Sequence, residues 1–151
     1  MVAIRAMAHG VPVTSAMMTQ FVTLTPDEPI DTAIQTLMQT SQGEFPVVDA
    51  QGRPVGVLGR NDLIRVLKEH GHDARVADGM VSPIPVVSHR SRLEDAFRLL
   101  QEKSAPAVAV TNAAGKLIGL VTSETVGEML MVHRAKPTGT PSGPWSRPAG
   151  A

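Results

Sequence analysis

The chain has 151 residues, 42% of them hydrophobic, which is enough to bury a core as one domain or as two small fused units. Lys plus Arg equals Asp plus Glu at 14 each and aromatic residues make up 3%, so neither a net field nor a set of stacking platforms points to nucleic acid. The absence of cysteine excludes disulfides, thiolate nucleophiles and cysteine-based zinc sites.

Residues 1–12 carry no clear period and form an N-terminal lead-in. Arg5 and His9 break its apolar stretches, so it offers neither a signal peptide nor a membrane span, and a cytoplasmic location is the default expectation.

From Val13 onward the chain is one unit written twice. A shift of 63 residues superimposes 13–64 on 76–127 without a gap, matching Val13 with Val76, Met17 with Met80, Leu37 with Leu100, Gly52 with Gly115 and Gly56 with Gly119. Apolar positions and glycines agree while the polar surface diverges, as in two copies that keep their core and turns. The expected units are 13–70 and 76–133, joined by a linker at 71–75 and followed by a flexible Pro/Gly-rich tail at 134–151.

Within the first copy, residues 21–25 form a short β-prone run. Ile30, Ala33, Ile34, Leu37 and Met38 then follow the spacing of an amphipathic helix, with Pro29 suited to its first turn. In the second copy Ser91 and Glu94 have the spacing of a capping box ahead of Leu93, Ala96, Phe97 and Leu100. Residues 45–48 and 55–58 predict two strands joined by Asp49-Ala50-Gln51-Gly52, and Asn112-Ala113-Ala114-Gly115 repeats the turn. A second helix carrying Leu63, Ile64, Val66 and Leu67 should end near Gly71. Each copy is therefore a β-α-β-β-α unit of an α+β fold. One such unit buries too little apolar surface alone, so the two are expected to pack as a pseudo-twofold pair. Met17, Met18, Met38 and Met80 fall on apolar positions and are expected to fill the core.

The last strand of each copy runs straight into a polar segment at Gly59 and at Thr122. A strand that opens into a helix presents unpaired N–H groups and the positive end of a helix dipole, which suits a phosphate or a carboxylate.

These residues resemble the tandem cystathionine-β-synthase (CBS) domain pair, or Bateman module. The likeness covers about 13–131. It is carried by the V-x-x-x-M openings at Val13 and Val76, the P-V-V-D-x-x-G segment from Pro46, and the G-x-x-T/S-x-x-D patterns at Gly56 and Gly119. The resemblance implies a regulatory module that binds an adenosyl ligand such as AMP, ADP, ATP or S-adenosylmethionine between the repeats, with no obligatory cofactor. It also implies a homodimer of pairs. With no effector domain in the sequence, the output is expected on another polypeptide or in the assembly itself.

The ligand motif carries over unevenly. The first copy keeps Asp62, which in the family grips the ribose hydroxyls, but has Gly59 in place of Thr/Ser; the second keeps Thr122 but has Thr125 in place of Asp. A carboxylate can accept hydrogen bonds from two vicinal hydroxyls, and a hydroxyl at a helix start can join the N–H groups facing a phosphate. Helix capping is the competing role for both Asp62 and Thr122. Val22 and Phe45 in the first copy, and Pro85 and Val108 in the second, are candidates for an apolar adenine slot, with core packing as their alternative. Arg60, His89 and Arg90 are candidates to reach a phosphate, with solvated surface charge as theirs.

His70, His72 and Asp73 form an H-x-H-D cluster in the linker, but no helical spacing sets two ligands on one face, and no metal site is expected. No G-x-S-x-G, P-loop or G-x-G-x-x-G occurs, so the chain offers no catalytic constellation and is expected not to be an enzyme. Two functions stand side by side: a nucleotide-sensing regulatory module, and a structural dimerisation or docking module whose motifs no longer hold a ligand.

Overall fold

A computed structural model of the chain describes residues 10–125, 127 and 128. The expectations for 1–9 and for the tail at 134–151 lie outside them. In the first copy, helix α1 (Ile30–Met38) precedes the hairpin β1 (Glu44–Val48) and β2 (Pro54–Gly59), and helix α2 (Arg60–His70) follows directly. In the second, β3 (Val86–Ser88), α3 (Leu93–Glu102) and the hairpin β4 (Ala107–Thr111) and β5 (Leu117–Thr122) repeat the order, and helical residues begin at Ser123. Short 3-10 turns open the copies at Val13–Ser15 and Val76–Asp78.

The two hairpins are built alike. Asp49 Oδ1 accepts from the N–H groups of Gln51 and Arg53, both at 2.9 Å, and Asn112 Oδ1 accepts from those of Ala114 and Lys116, both at 3.0 Å. Gly52 and Gly115 close these turns at φ +80° and +81°, where a side chain would be strained. Both hairpins then break register at matching places, between Val47 and Val48 and between Val110 and Thr111.

Strand alternation sends successive side chains to opposite faces. In the first copy Phe45, Val47 and Leu58 pack on Ile30, Ala33, Leu63 and Val66; in the second Val108, Val110 and Val121 pack on Leu93, Ala96 and Phe97. The other faces meet in a third cluster, where Val57 joins Ala107, Ala109 and Leu120 and so connects the copies.

The opening of each copy lies in the core of the other. Val13 and Ala16 are buried with the second helix-and-hairpin core, while Ala74 and Val76 are buried with the first. The backbone repeats the exchange. Met18 N–H donates to Leu120 O (2.8 Å) and Leu120 N–H to Met18 O (3.0 Å), while Val81 N–H donates to Val57 O (2.8 Å) and Val57 N–H to Val81 O (3.0 Å). The lead-in follows the same course: Leu93 N–H donates to Val11 O (2.8 Å) and Val13 N–H to Ser91 O (3.0 Å).

Three details differ from the sequence expectation. Residues 21–25 form no strand, only a bridge from Leu24 to Val47. The cause is Pro46. In the second copy Ala109 N–H donates to Pro85 O (2.9 Å), but its counterpart Pro46 has no N–H to give. Val22 O accepts instead from Gln42 Nε2 (2.9 Å), and Val22 N–H donates to Gln42 Oε1 (2.8 Å). The cap of α3 sits one residue later than expected, with Arg92 N–H donating to Asp95 Oδ2 (3.0 Å). Met38 lies on the outer side of α1 and is 78% exposed, so it fills no core. The second helix of the first copy ends as expected, where Gly71 N–H donates to Leu67 O (2.9 Å).

Gly56 and Gly119 admit the exchanged segments. A Cβ on Gly56 would lie 2.9 Å from both Met80 Sδ and Val81 O, and one on Gly119 would overlap Met17 Sδ. Gly56→Ala is therefore expected to lower stability by about 1–3 kcal/mol in chemical denaturation. Adding Met80→Ala should not restore it, because the backbone carbonyl of Val81 remains in the way. A loss below about 0.5 kcal/mol would show that the exchanged segment yields easily.

Candidate functional site

A cavity of about 370 Å³ opens between the two copies. Met18 and Gln20 line it from the exchanged opening segment, residues 40–43 from the loop after α1, Glu44 from the start of β1, and Thr122, Ser123 and Glu124 from the end of β5 onward. A second cavity, of about 420 Å³, is lined by Val81 and residues 83–86, with Leu99 and Lys103. The 63-residue shift carries Met18, Gln20 and Thr40 onto Val81, Pro83 and Lys103. The two cavities are thus related by the repeat and unlike in character.

The loop 40–43 is held in place by Arg60, the first residue of α2. Its Nε donates to Gln42 O (2.7 Å), and its Nη2 to Leu37 O (3.2 Å) and to Thr40 O. Carbonyls at and just beyond the C-terminus of α1 thereby gain a cation that also complements the helix dipole. The Arg60 N–H donates to Gly43 O (3.2 Å).

At the second junction Thr122 N–H donates to Thr125 Oγ1 (3.2 Å), and Glu124 N–H donates to Thr122 Oγ1 (3.2 Å). At the first, Gly59 N–H donates to Asp62 Oδ2 (3.2 Å), and Asp62 Oδ1 lies 3.3 Å from Arg65 Nη2. Asp62 and Thr122 both terminate helices in this arrangement, and Thr122 also faces the cleft.

Glu44 ties the two junctions together. It pairs across the hairpin with Gly59, while in the second copy Ala107 pairs with Thr122. Large and small have changed places. A Cβ on residue 59 would lie 2.9 Å from Glu44 Oε2, so the carboxylate occupies room that a Thr or Ser there would need. Glu44 Oε2 is buried and has no hydrogen-bond partner among the described residues. Burial, then the nearby charges of Asp62 and Glu124, push this carboxyl up to about 7.

The remaining candidates are dispersed. Phe45 and Val108 are fully buried, one in each core. Val22 is 39% exposed, with its backbone held by Gln42. Pro85 lines the second cavity. His89 and Arg90 occupy the turn after β3, where their N–H groups donate to Thr111 O and Ser88 Oγ, and they line neither cavity. His72 pairs with Asp31 (Nδ1 to Oδ1, 2.7 Å), which raises the imidazole's pKa through that hydrogen bond and charge. Among the described residues no group of three or more metal-ligating side chains is placed to hold a metal ion.

Sequence reasoning passed over Glu44, Glu124 and the loop 40–43. The signal was present in the repeat itself, since Gly59 departs from Thr122 at the same place that Glu44 departs from Ala107.

Two repeats that exchange their opening segments around a shared cleft define a tandem-repeat module. The CBS domain family model matches residues 3–69 and 74–128, and the chain belongs to that family. It is 26% identical over 113 residues to the protein MJ1225 of Methanocaldococcus jannaschii, covering 74% of this chain and 40% of that one. Against this and the next two curated relatives, the chain spans 28–66% of their length. Among solved structures, CBSX2 in complex with AMP has 29% identity and a TM-score of 0.68 over 83% of this chain and 99% of that one. The CBS domain of a bacterial CNNM/CorC family Mg²⁺ transporter, solved with ATP, has 20% identity and a TM-score of 0.73 over 86% and 94%, a likeness of fold. Among the described residues no helix is long and apolar enough to cross a membrane.

The raised carboxyl of Glu44 makes stability depend on pH. Between the ordinary carboxylate value of 4.5 and about 7 the folded chain holds a proton that the unfolded chain has lost, so stability falls as pH rises through this window. Glu44→Gln is expected to remove that slope and to raise stability at pH 8 by on the order of 1 kcal/mol, the full shift being reduced by solvent reaching the side chain. Melting temperatures of both proteins at pH 5 and pH 8 check this, and an equal difference at the two values would refute it.

Proposed function

We propose that the chain is a regulatory CBS pair that binds an adenosyl ligand in the cleft between Glu44 and Thr122 and passes its occupancy to a partner. The observation that carries this is the cleft itself. Its walls come from both copies, its volume of about 370 Å³ falls within the range of small-molecule pockets, and it lies at a strand-to-helix junction. The AMP complex of CBSX2, at 29% identity, supports an adenosine-bearing ligand. Thr122 and Ser123 would contact it directly, with Asp62 and Gly59 acting through Glu44. Regulation rather than catalysis is the role in keeping with this family.

Ligand contacts to both copies would bias how the copies sit against each other, and such differential contact is what lets a ligand shift an equilibrium. A homodimer of pairs belongs to the same proposal. Met38 on α1 and Ile64 on α2, 78% and 56% exposed, offer apolar surface to a second copy. The same reading includes an effector protein that responds to occupancy of the cleft.

Thermal melting with adenosine, AMP, ADP, ATP and S-adenosylmethionine tests the adenosyl ligand. A ligand present at about 100 times its dissociation constant should stabilise the chain by about 2.7 kcal/mol. No shift with any of the five would leave the structural docking module as the better account.

A further inference from the structure

The adenosyl reading leaves the charge of the ligand open, and the cleft's own groups bear on it. Glu44 and Glu124 line it, and Asp62 stands next to Glu44 behind Gly59. No lysine or arginine among the described residues lines it. The two arginines of α2 nearest in sequence to Gly59 are engaged elsewhere: Arg60 holds the carbonyls of Leu37, Thr40 and Gln42, and Arg65 pairs with Asp62 and Glu69.

A helix N-terminus attracts phosphate through N–H groups left unpaired, and here four of the N–H groups at the two junctions have partners. Thr122 N–H and Glu124 N–H are bonded to the hydroxyls of Thr125 and Thr122, Gly59 N–H to Asp62, and Arg60 N–H to Gly43 O. The charged side chains that line the cleft are the carboxylates of Glu44 and Glu124, beside the neutral hydroxyls of Thr40, Ser41, Thr122 and Ser123. Carboxylates accept from hydroxyl and ammonium donors and repel phosphate oxygens.

We infer that this cleft selects its adenosyl ligand by charge, taking a nucleoside or a sulfonium-bearing adenosyl compound and disfavouring one that ends in phosphate. The inference rests on the adenosyl reading above. The repeat-related second cavity differs in the expected direction, since Lys103 stands there in place of Thr40 and Ala107 stands in the chain in place of Glu44. Phosphate-bearing ligands therefore have a less hostile site on the same molecule, and the test must report on the first cleft alone.

Competition against radiolabelled S-adenosylmethionine, using the full chain at pH 8 without divalent cations, is assigned to the first cleft by comparison with the Glu44→Gln/Glu124→Gln variant. AMP and ATP are expected to need at least about ten times the concentration of adenosine to displace half of the label. In the Glu44→Gln/Glu124→Gln variant AMP should come within about threefold of adenosine, the carboxylates having been replaced by neutral amides of the same shape. AMP displacing the label as readily as adenosine from the unaltered chain overturns the inference, as does a gap that the double substitution leaves unchanged. If neither S-adenosylmethionine nor adenosine binds while AMP raises the melting temperature, charge selection fails and the adenosyl reading stands. If no adenosyl compound binds or shifts melting, both fall.

Discussion

Everything in this structure depends on the close approach of Met17 to Gly119 and of Met80 to Gly56. Each methionine belongs to the opening segment of one copy, and each glycine to the last strand of the other. A side chain on that strand would push the exchanged segment away, and with it the paired backbone bonds at Met18 and Leu120 and at Val57 and Val81. The exchange also buries Val13 and Val76 fully, each in the opposite core. Burying a valine contributes roughly 1.5 to 3 kcal/mol, so separating the copies would cost far more than the bonds alone. The pair folds as one body because neither half holds its own first turn.

That exchange also makes the cleft. Met18 and Gln20 reach its wall only because the opening segment runs along β5. Glu44 reaches the same wall from β1, where burial first, and then the charges of Asp62 at the first junction and Glu124 at the second, raise its pKa. The two halves of the ligand motif are therefore not two sites of equal kind. Gly59 is a departure from the family pattern that is matched by Glu44, a long acidic side chain over a glycine where the other copy sets a small alanine beside a threonine.

Much of the fold was legible because its signals are local and occur twice. The hairpin turns follow from Asp49 or Asn112 with a glycine three residues on, and the helices from apolar spacing. The missing strand at 21–25 was legible in principle: Pro46 opposite Ala109 in the repeat removes one ladder donor. Which copy an opening segment packs into was not legible, since periodicity records that Val13 and Val76 are buried and says nothing of their neighbours. For the site, motif comparison led to Asp62 and Thr122, whose side chains prove to be engaged in capping. It passed over Glu44 because an acidic residue beside an apolar run reads as a strand end facing solvent. Phe45 and Val108 looked like slot walls for the opposite reason, since one apolar residue on a strand looks the same whether it faces a ligand or a core.

Arg60 connects these levels. It opens α2, yet its guanidinium closes α1 by taking the carbonyls of Leu37, Thr40 and Gln42. Gln42 in turn holds both backbone groups of Val22 and the carbonyl of Glu44 (Nε2 to O, 2.8 Å). The cleft wall at 40–44 is thus fixed by a chain of hydrogen bonds running from α2 to the segment that fails to become a strand. A group that moved the loop would strain Arg60 at the start of α2, Gln42 at the edge of β1 and Glu44 between the junctions at once. Coupling between cleft and helices then needs no long path: the wall and the helix ends are held by the same side chains.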